Sequence, residues 1–279
     1  MLGKLTKITF ITFTRNSASR IGSLLEHVKD IVDEIIVIDG YSSDSTVEIA
    51  KSYGARVFQR KPWGYADPDR MFALKQASHD LVLMLDDDER LCSRLKNELQ
   101  SILDEIHDKF VAVDLLRVNL SKGKKVILAP YYPDRVIKIF KKNMVIFTGR
   151  VHDGPRVLGP IVRLPEDYYV IHLQYYEEEG WIKKVVKYAY FQSIQYVNLA
   201  DGNSIRKFFL KLMPLSAAPY PLYLLSAFIF RRRPLNALSL PYTFKRAMYD
   251  SILHTLLKLR PRRRKILAKV ISQKGFIFD

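Results

Sequence analysis

Asp80-Leu81-Val82-Leu83-Met84-Leu85-Asp86-Asp87-Asp88-Glu89 is the stretch on which the fold turns. Its first half is a continuous apolar run, the pattern of a strand buried on both faces. Its second half is four consecutive acids, a costly ending for such a strand unless something cationic neutralises it. Ligands of an open α/β sheet gather beyond the carboxyl ends of the strands, and the same grammar recurs upstream. Ile8–Thr14 (ITFITFT) is β-branched and aromatic, as strands are, and leads into Thr14-Arg15-Asn16. Glu34–Ile38 (EIIVI) is a second apolar run and ends at Asp39-Gly40.

Between these strands the spacing changes. Ile21, Leu24, Leu25 and Val28 predict a helix over 20–29. Ser45 followed by Glu48 reads as a capping box opening a helix to Tyr53, with Gly54 as its stop. Arg56–Gln59 is a short strand, and helical sequence follows the acids from Leu91 to Ile106. Single helices between strands imply right-handed crossovers, hence an α/β fold with a mostly parallel central sheet flanked by helices. Short strands and turns fill Val111–Leu173, and Glu177–Leu199 returns to helical periodicity.

Composition narrows the class. With 48% apolar residues in 279, the chain can bury a core, which excludes wholesale disorder. The single cysteine, Cys92, excludes an internal disulfide framework and a cysteine-built zinc site, and reads as a small buried residue in a reducing compartment. No signal-peptide core stands at the beginning of the sequence, which gives the expectation of a cytosolic start.

The net charge of +16 is uneven: Ser204–Asp279 holds sixteen Lys and Arg against two acids, a net +14. The expected organisation is therefore a catalytic domain over 1–203 and a cationic helical segment over 204–279. Within the latter, Leu212–Phe230 is nineteen residues without charge, followed by Arg231-Arg232-Arg233, with Pro214, Pro219 and Pro221 near its start. Apolar surface plus basic residues fits association with an anionic membrane at its cytoplasmic side, entering rather than crossing it. Nucleic-acid binding would explain the charge but not the apolar content, and no nucleic-acid module is present.

The acids at the strand end point to chemistry. Carboxylate oxygens suit Mg²⁺ or Mn²⁺, and Mg²⁺ typically binds through one or two carboxylates plus substrate phosphates. The plainer reading is a solvated acidic helix N-terminus favoured by the helix dipole. Asp44 reads more readily as a helix-start residue than as a ligand. His27, His79, His107 and His254 read as surface or core residues.

The ordered set of motifs resembles the family 2 glycosyltransferases of GT-A fold, in the branch of the lipopolysaccharide-core glucosyltransferases. It runs from Thr14-Arg15-Asn16, through Asp39-Gly40-Tyr41-Ser42-Ser43-Asp44-Ser45-Thr46 and Arg70-Met71-Phe72-Ala73-Leu74, to Asp86-Asp87-Asp88-Glu89. Tyr132-Pro133-Asp134, Lys138-Ile139-Phe140, Val151-His152-Asp153 and His172 complete it. The resemblance implies that Asp39, Thr14 and Arg15 line the nucleotide pocket and that Arg70 holds base or diphosphate. Asp86, with Asp87 beside it, would meet ribose or sugar, and Asp88 would ligate the divalent metal (Mn²⁺ or Mg²⁺). Asp153 would be the base, although the family's usual residue there is Glu; Asp134 and Glu89 are the alternatives. His152 and His172 would contact metal or phosphate or be hydrogen-bonded residues near the site, and Arg135 and Arg150 would bind phosphate or pair with nearby carboxylates.

The implied activity is inverting transfer of one hexose, such as glucose or mannose, from a UDP- or GDP-sugar to a lipid-linked or membrane-presented acceptor. Single transfer follows from the absence of the Gln-Xaa-Xaa-Arg-Trp motif of processive members. The alternatives are a sugar-1-phosphate nucleotidyltransferase, which would want a glycine-rich loop where Thr14–Gly22 has only Gly22, and a non-catalytic membrane adaptor.

Overall fold

A computed structural model describes residues 6–121, 123–126, 133–150, 153–173 and 188–192. Strand and helix alternate as the periodicity requires: β1 (Ile8–Thr14), α1 (Ala18–Val28), β2 (Glu34–Asp39), α2 (Thr46–Ser52), β3 (Arg56–Gln59), α3 (Arg70–Gln76) and β4 (Leu81–Met84). Then follow β5 (Glu89–Leu91), α4 (Ser93–Ile106), β6 (Ala112–Ser121), β7 (Lys124–Val126), β8 (Arg135–Lys141) and β9 (Val145–Ile146). β10 (Arg156–Val157), β11 (Ile161–Arg163) and β12 (Tyr169–Leu173) complete the series.

The large sheet runs β3-β2-β1-β4-β8-β6-β12-β5, with β11 and β7 also pairing β6. From β3 to β4 every pairing is parallel, as expected from the single-helix crossovers. The other half is mixed, and the pairings of the described residues across the whole sheet remain mostly parallel. β8 is antiparallel to both neighbours, β12 runs parallel to β6, and β5 is antiparallel to β12. Such pairings join segments far apart in the chain and leave no local periodicity to read.

Successive residues of β1 face opposite layers. Phe10 packs with Leu24, Leu25, Leu95 and Leu99 of α1 and α4, while Ile11 packs with Ala73, Leu74 and Phe140 on the α3 side. That two-sided burial explains why the strands read as unbroken apolar runs.

Two helix starts differ from expectation. Ser45 makes no side-chain cap at α2; instead Asp44 Oδ1 accepts from Thr46 N (3.1 Å) and Oδ2 from Ala18 N (3.1 Å), so one carboxylate serves the starts of α1 and α2. The acidic run is not a helix N-terminus: Glu89 already belongs to β5, and α4 begins at Ser93. Cys92 is buried, as expected, and its Sγ also caps α4 by accepting from Leu95 N (3.4 Å).

Tyr188–Gln192 is helical, as expected for that stretch. The chain divides into two compact units, residues 1–125 with 133–175, and residues 126–132 with 176–279. The remainder of the expected helix over 177–199 and the whole of 204–279 lie outside the described residues. No helix among the described residues is long and apolar enough to cross a membrane.

Candidate active site

Parallel pairing sets the first corner of the site, because Thr14 and Asp39 are register partners at the carboxyl ends of β1 and β2. Asp39 is fully buried. Its carboxylate accepts from Thr14 Oγ1 (3.1 Å), Ser42 N (2.9 Å), Ser42 Oγ (2.5 Å) and Gln59 Nε2 (3.3 Å). In this arrangement Asp39 fixes the β2–α2 turn. Arg15 is exposed beside it, and a Cβ at Gly40 would lie 3.4 Å from Arg15 Cβ. Both turns carry a non-glycine residue in the left-handed region, Asn16 (φ 51°) and Tyr41 (φ 55°), a strain that clusters at functional loops. Mutual bonds hold them: Asn16 N donates to Ser42 Oγ and Ser43 N donates to Asn16 Oδ1, each at 2.8 Å.

The acids after β4 occupy the second corner, and each has a different partner. Asp86 lies 3.0 Å from Lys138 Nζ and 3.6 Å from Arg70. Burial alone would push its carboxyl up, but Lys138 and Arg70 outweigh this and hold it well below the usual carboxylate range. Lys138 also pairs with Glu89, which is fully buried in β5 and accepts from Asp86 N (3.0 Å). Asp87 turns instead to α1, where Arg20 (2.7 Å) and Ser17 hold it. Asp88 Oδ2 lies 3.4 Å from His172 Nε2, and Asp88 O accepts from Leu173 N (2.7 Å).

Arg70 opens α3 directly after a 3-10 turn, Asp67–Asp69. It bonds Asp67 (3.2 Å), and its guanidinium lies over Phe13 (5.2 Å) and Phe147 (5.5 Å). Burial pushes the Asp67 carboxyl up despite that cation. The loop bearing Asp153 passes the same turn, since a Cβ at Gly149 would sit 3.5 Å from Pro68 Cα. Asp153 accepts from Thr148 Oγ1 (2.6 Å) and lies 3.7 Å from Arg150. It is 44% exposed, the state a base open to an incoming hydroxyl needs.

The remaining candidates are placed by their own contacts. Asp134 is held by Arg117 Nε (2.8 Å) and Asn119 Nδ2 (3.4 Å), and Glu89 is buried against Lys138. Arg135 pairs with Asp114 (3.0 Å), the second of the two readings open to it. His107 is at the surface and His27 is half-buried. His152 and His254 lie outside the described residues.

Lys138, Arg117, Asn119, Ser42 and Gln59 enter the site without having been singled out as site residues. Lys138 left a signal, a cation at the centre of the apolar run Val136-Ile137-Lys138-Ile139-Phe140.

Residues 9–152 match the sequence profile of Glycosyl transferase family 2. The chain belongs to glycosyl transferase family 2. An uncharacterized glycosyltransferase of Rickettsia bellii (strain RML369-C) is 32% identical over 196 residues, 67% of this chain and 65% of that protein. This chain thus spans just under two thirds of the length of that curated relative. The lipopolysaccharide core biosynthesis glycosyltransferase LpsC of Rhizobium meliloti (strain 1021) is 34% identical over 114 residues, 38% of this chain and 41% of LpsC. A mannosyltransferase from Pyrobaculum calidifontis, solved with GDP-Man and Mn²⁺, superimposes with a TM-score of 0.51 at 14% identity, covering 90% of this chain and 86% of that one. The family 2 chain therefore has the GT-A architecture that its motifs implied.

Among the described residues no three His, Cys, Asp or Glu side chains converge as a self-contained metal cage. Asp88 and His172 do supply one carboxylate oxygen and one imidazole nitrogen 3.4 Å apart. Two donors separated by about 3 Å fit one small ion with bonds of ~2.1 Å, its remaining positions going to substrate phosphate and water. The residues present suit such an ion.

Proposed function

We propose that this chain moves one sugar from a nucleotide-sugar donor to an acceptor hydroxyl by direct, inverting displacement assisted by a divalent cation. The observation that carries the reading is the convergence, beyond the carboxyl ends of β1, β2 and β4, of Asp39, Arg70, Asp86 and Asp88 beside the loop bearing Asp153. The nucleotide lies over the β1 and β2 ends, against Thr14 and Arg15, with Asp39 holding the turn and exchanging a bond with the base or ribose. Asp86 orients ribose or sugar, and Arg70 faces the diphosphate.

Asp88 and His172 would hold the divalent ion, which when bound neutralises charge on the departing diphosphate. Asp153 Oδ1 accepts the acceptor hydroxyl's proton while Thr148 and Arg150 steady Oδ2. As the acceptor's hydroxyl oxygen bonds to the anomeric carbon, the bond from that carbon to the phosphate oxygen breaks and the nucleoside diphosphate leaves with the electron pair. Attack opposite the leaving group inverts the anomeric centre. The hexose is glucose or mannose, and the acceptor is a lipid-linked or membrane-presented glycan at the cytoplasmic membrane face, a placement supported by the net +14 of Ser204–Asp279.

The test is nucleoside diphosphate release from a panel of UDP- and GDP-sugars with Mn²⁺ or Mg²⁺, before and after EDTA. Release from one nucleotide class, lost with EDTA, is expected. Asp153→Asn should still bind nucleotide while its turnover falls about 10²–10⁴-fold. Silence across the panel contradicts the transferase reading, and undiminished Asp153→Asn turnover moves the base elsewhere.

A further inference from the structure

Three side chains behind the Asp88–His172 pair join His172 in a hydrogen-bonded series whose polarity is set by chemistry. Arg117 and Asn119 stand two apart on β6, hence on one face of the sheet. β12 runs beside them in parallel, with His172 as the register partner of Asn119. Arg117 Nε donates to Asp134 Oδ2 (2.8 Å), and Asn119 Nδ2 donates to the same oxygen (3.4 Å). The carboxylate is paired with a guanidinium and can only accept. The amide's NH₂ end must therefore face Asp134 and its carbonyl oxygen must face His172.

That oxygen lies 2.7 Å from His172 Nδ1 and is itself only an acceptor. Nδ1 must carry a hydrogen. In the neutral ring the lone pair then resides on Nε2, the atom 3.4 Å from Asp88 Oδ2. Asn119 is 4% exposed, so little water competes for its amide.

We infer that Arg117, Asp134 and Asn119 form a positioning relay that fixes His172 in its Nδ1–H tautomer and aims the Nε2 lone pair at a divalent cation shared with Asp88. Asp134, on this account, is a positioning residue rather than a spare base. The inference builds on the transferase reading for the cation, but the tautomer itself depends only on this chain's own hydrogen bonds.

The tautomer is read from long-range ¹H–¹⁵N spectra of the full metal-free chain, at a pH where imidazole is neutral, with His172→Gln assigning the signal. Nδ1–H is expected in the parent, and loss of that preference is expected in Asn119→Leu. Mn²⁺ binding, followed by electron paramagnetic resonance in the presence of UDP and, separately, GDP, should weaken roughly 10- to 100-fold in Asn119→Leu. Should Asn119→Leu fail to fold, the double variant Asn119→Asp/Asp134→Asn exchanges the two ends of the relay without changing net charge. It should keep the Nδ1–H form and parental Mn²⁺ affinity. An Nε2–H parent, unaltered Mn²⁺ affinity in folded Asn119→Leu, or a folded exchange variant that loses both properties overturns the inference. An Nε2–H ring in an active transferase refutes the relay alone, whereas an Nδ1–H ring in a chain inert to every donor refutes the transferase reading alone.

Discussion

Lys138 sits in the middle of an apolar strand, buried, with Asp86 on one side and Glu89 on the other. Removing the buried cation takes the nearest partner from both carboxylates and leaves them only Arg70 (3.6 Å from Asp86) and Arg117 (3.9 Å from Glu89), at a cost of about 3–5 kcal/mol. Lys138→Met should lower unfolding stability by that order in chemical denaturation, and adding Glu89→Gln should recover part of the loss. Equal stability of parent and Lys138→Met would show that the cluster is solvated rather than paired. The sequence made Asp39, Asp86 and Asp88 stand out because charges at the ends of apolar runs demand a reason, and Arg70 stood out through the family motif Arg70-Met71-Phe72-Ala73-Leu74. Asn119, Ser42 and Gln59 carry no such mark: their meaning comes from partners 15 to 53 residues away, or from a turn whose backbone points an ordinary serine at Asp39.

At the scale of elements, α1 is tied to β5 through a neutral imidazole: Leu91 N donates to His27 Nε2 (3.2 Å). Burial, with Lys96 and Arg90 nearby, lowers the His27 pKa to about 4. A histidine whose folded pKa is depressed takes up its proton first in the unfolded chain, so folded stability declines as pH falls from about 6.5 toward 4. The expected contribution is on the order of 1–2 kcal/mol after allowance for partial exposure. Thermal unfolding across this window should show the decline, with a flatter profile in His27→Gln. An identical profile would mean that His27 is open to water. The strands and helices through β4 were readable because each buries a face with its own period. β5 was hidden where the acidic run meets the helix expected from Leu91, because three residues are too few to show alternation, and Asp44 displaced Ser45 as cap by reaching two helix starts together.

For the whole molecule, the decisive feature is charge asymmetry, with +14 of the net +16 in the last 76 residues. Each basic residue near an anionic bilayer contributes about 1 kcal/mol. The full chain should therefore sediment with anionic phosphatidylserine vesicles far more than with neutral phosphatidylcholine ones. Changing Arg231–Arg233 and Arg262–Arg264 to Gln should sharply reduce that difference; an undiminished difference would count against the tail as the anchor. The α/β class was legible at this scale from alternating periods alone. The antiparallel placement of β8 and β5 was not, since the pairing of distant strands is decided by closing the sheet around the site.

All three scales meet at the turn after β4, where the proposed mechanism has Asp88 help hold a metal ion on the diphosphate. Isothermal titration of UDP and GDP into the full chain, with and without Mn²⁺, tests this most directly when repeated on Asp88→Ala. The account predicts that Mn²⁺ tightens binding of one nucleotide at least tenfold in the parent, about 1.4 kcal/mol, and has no such effect in Asp88→Ala. Equal tightening in both proteins would contradict it.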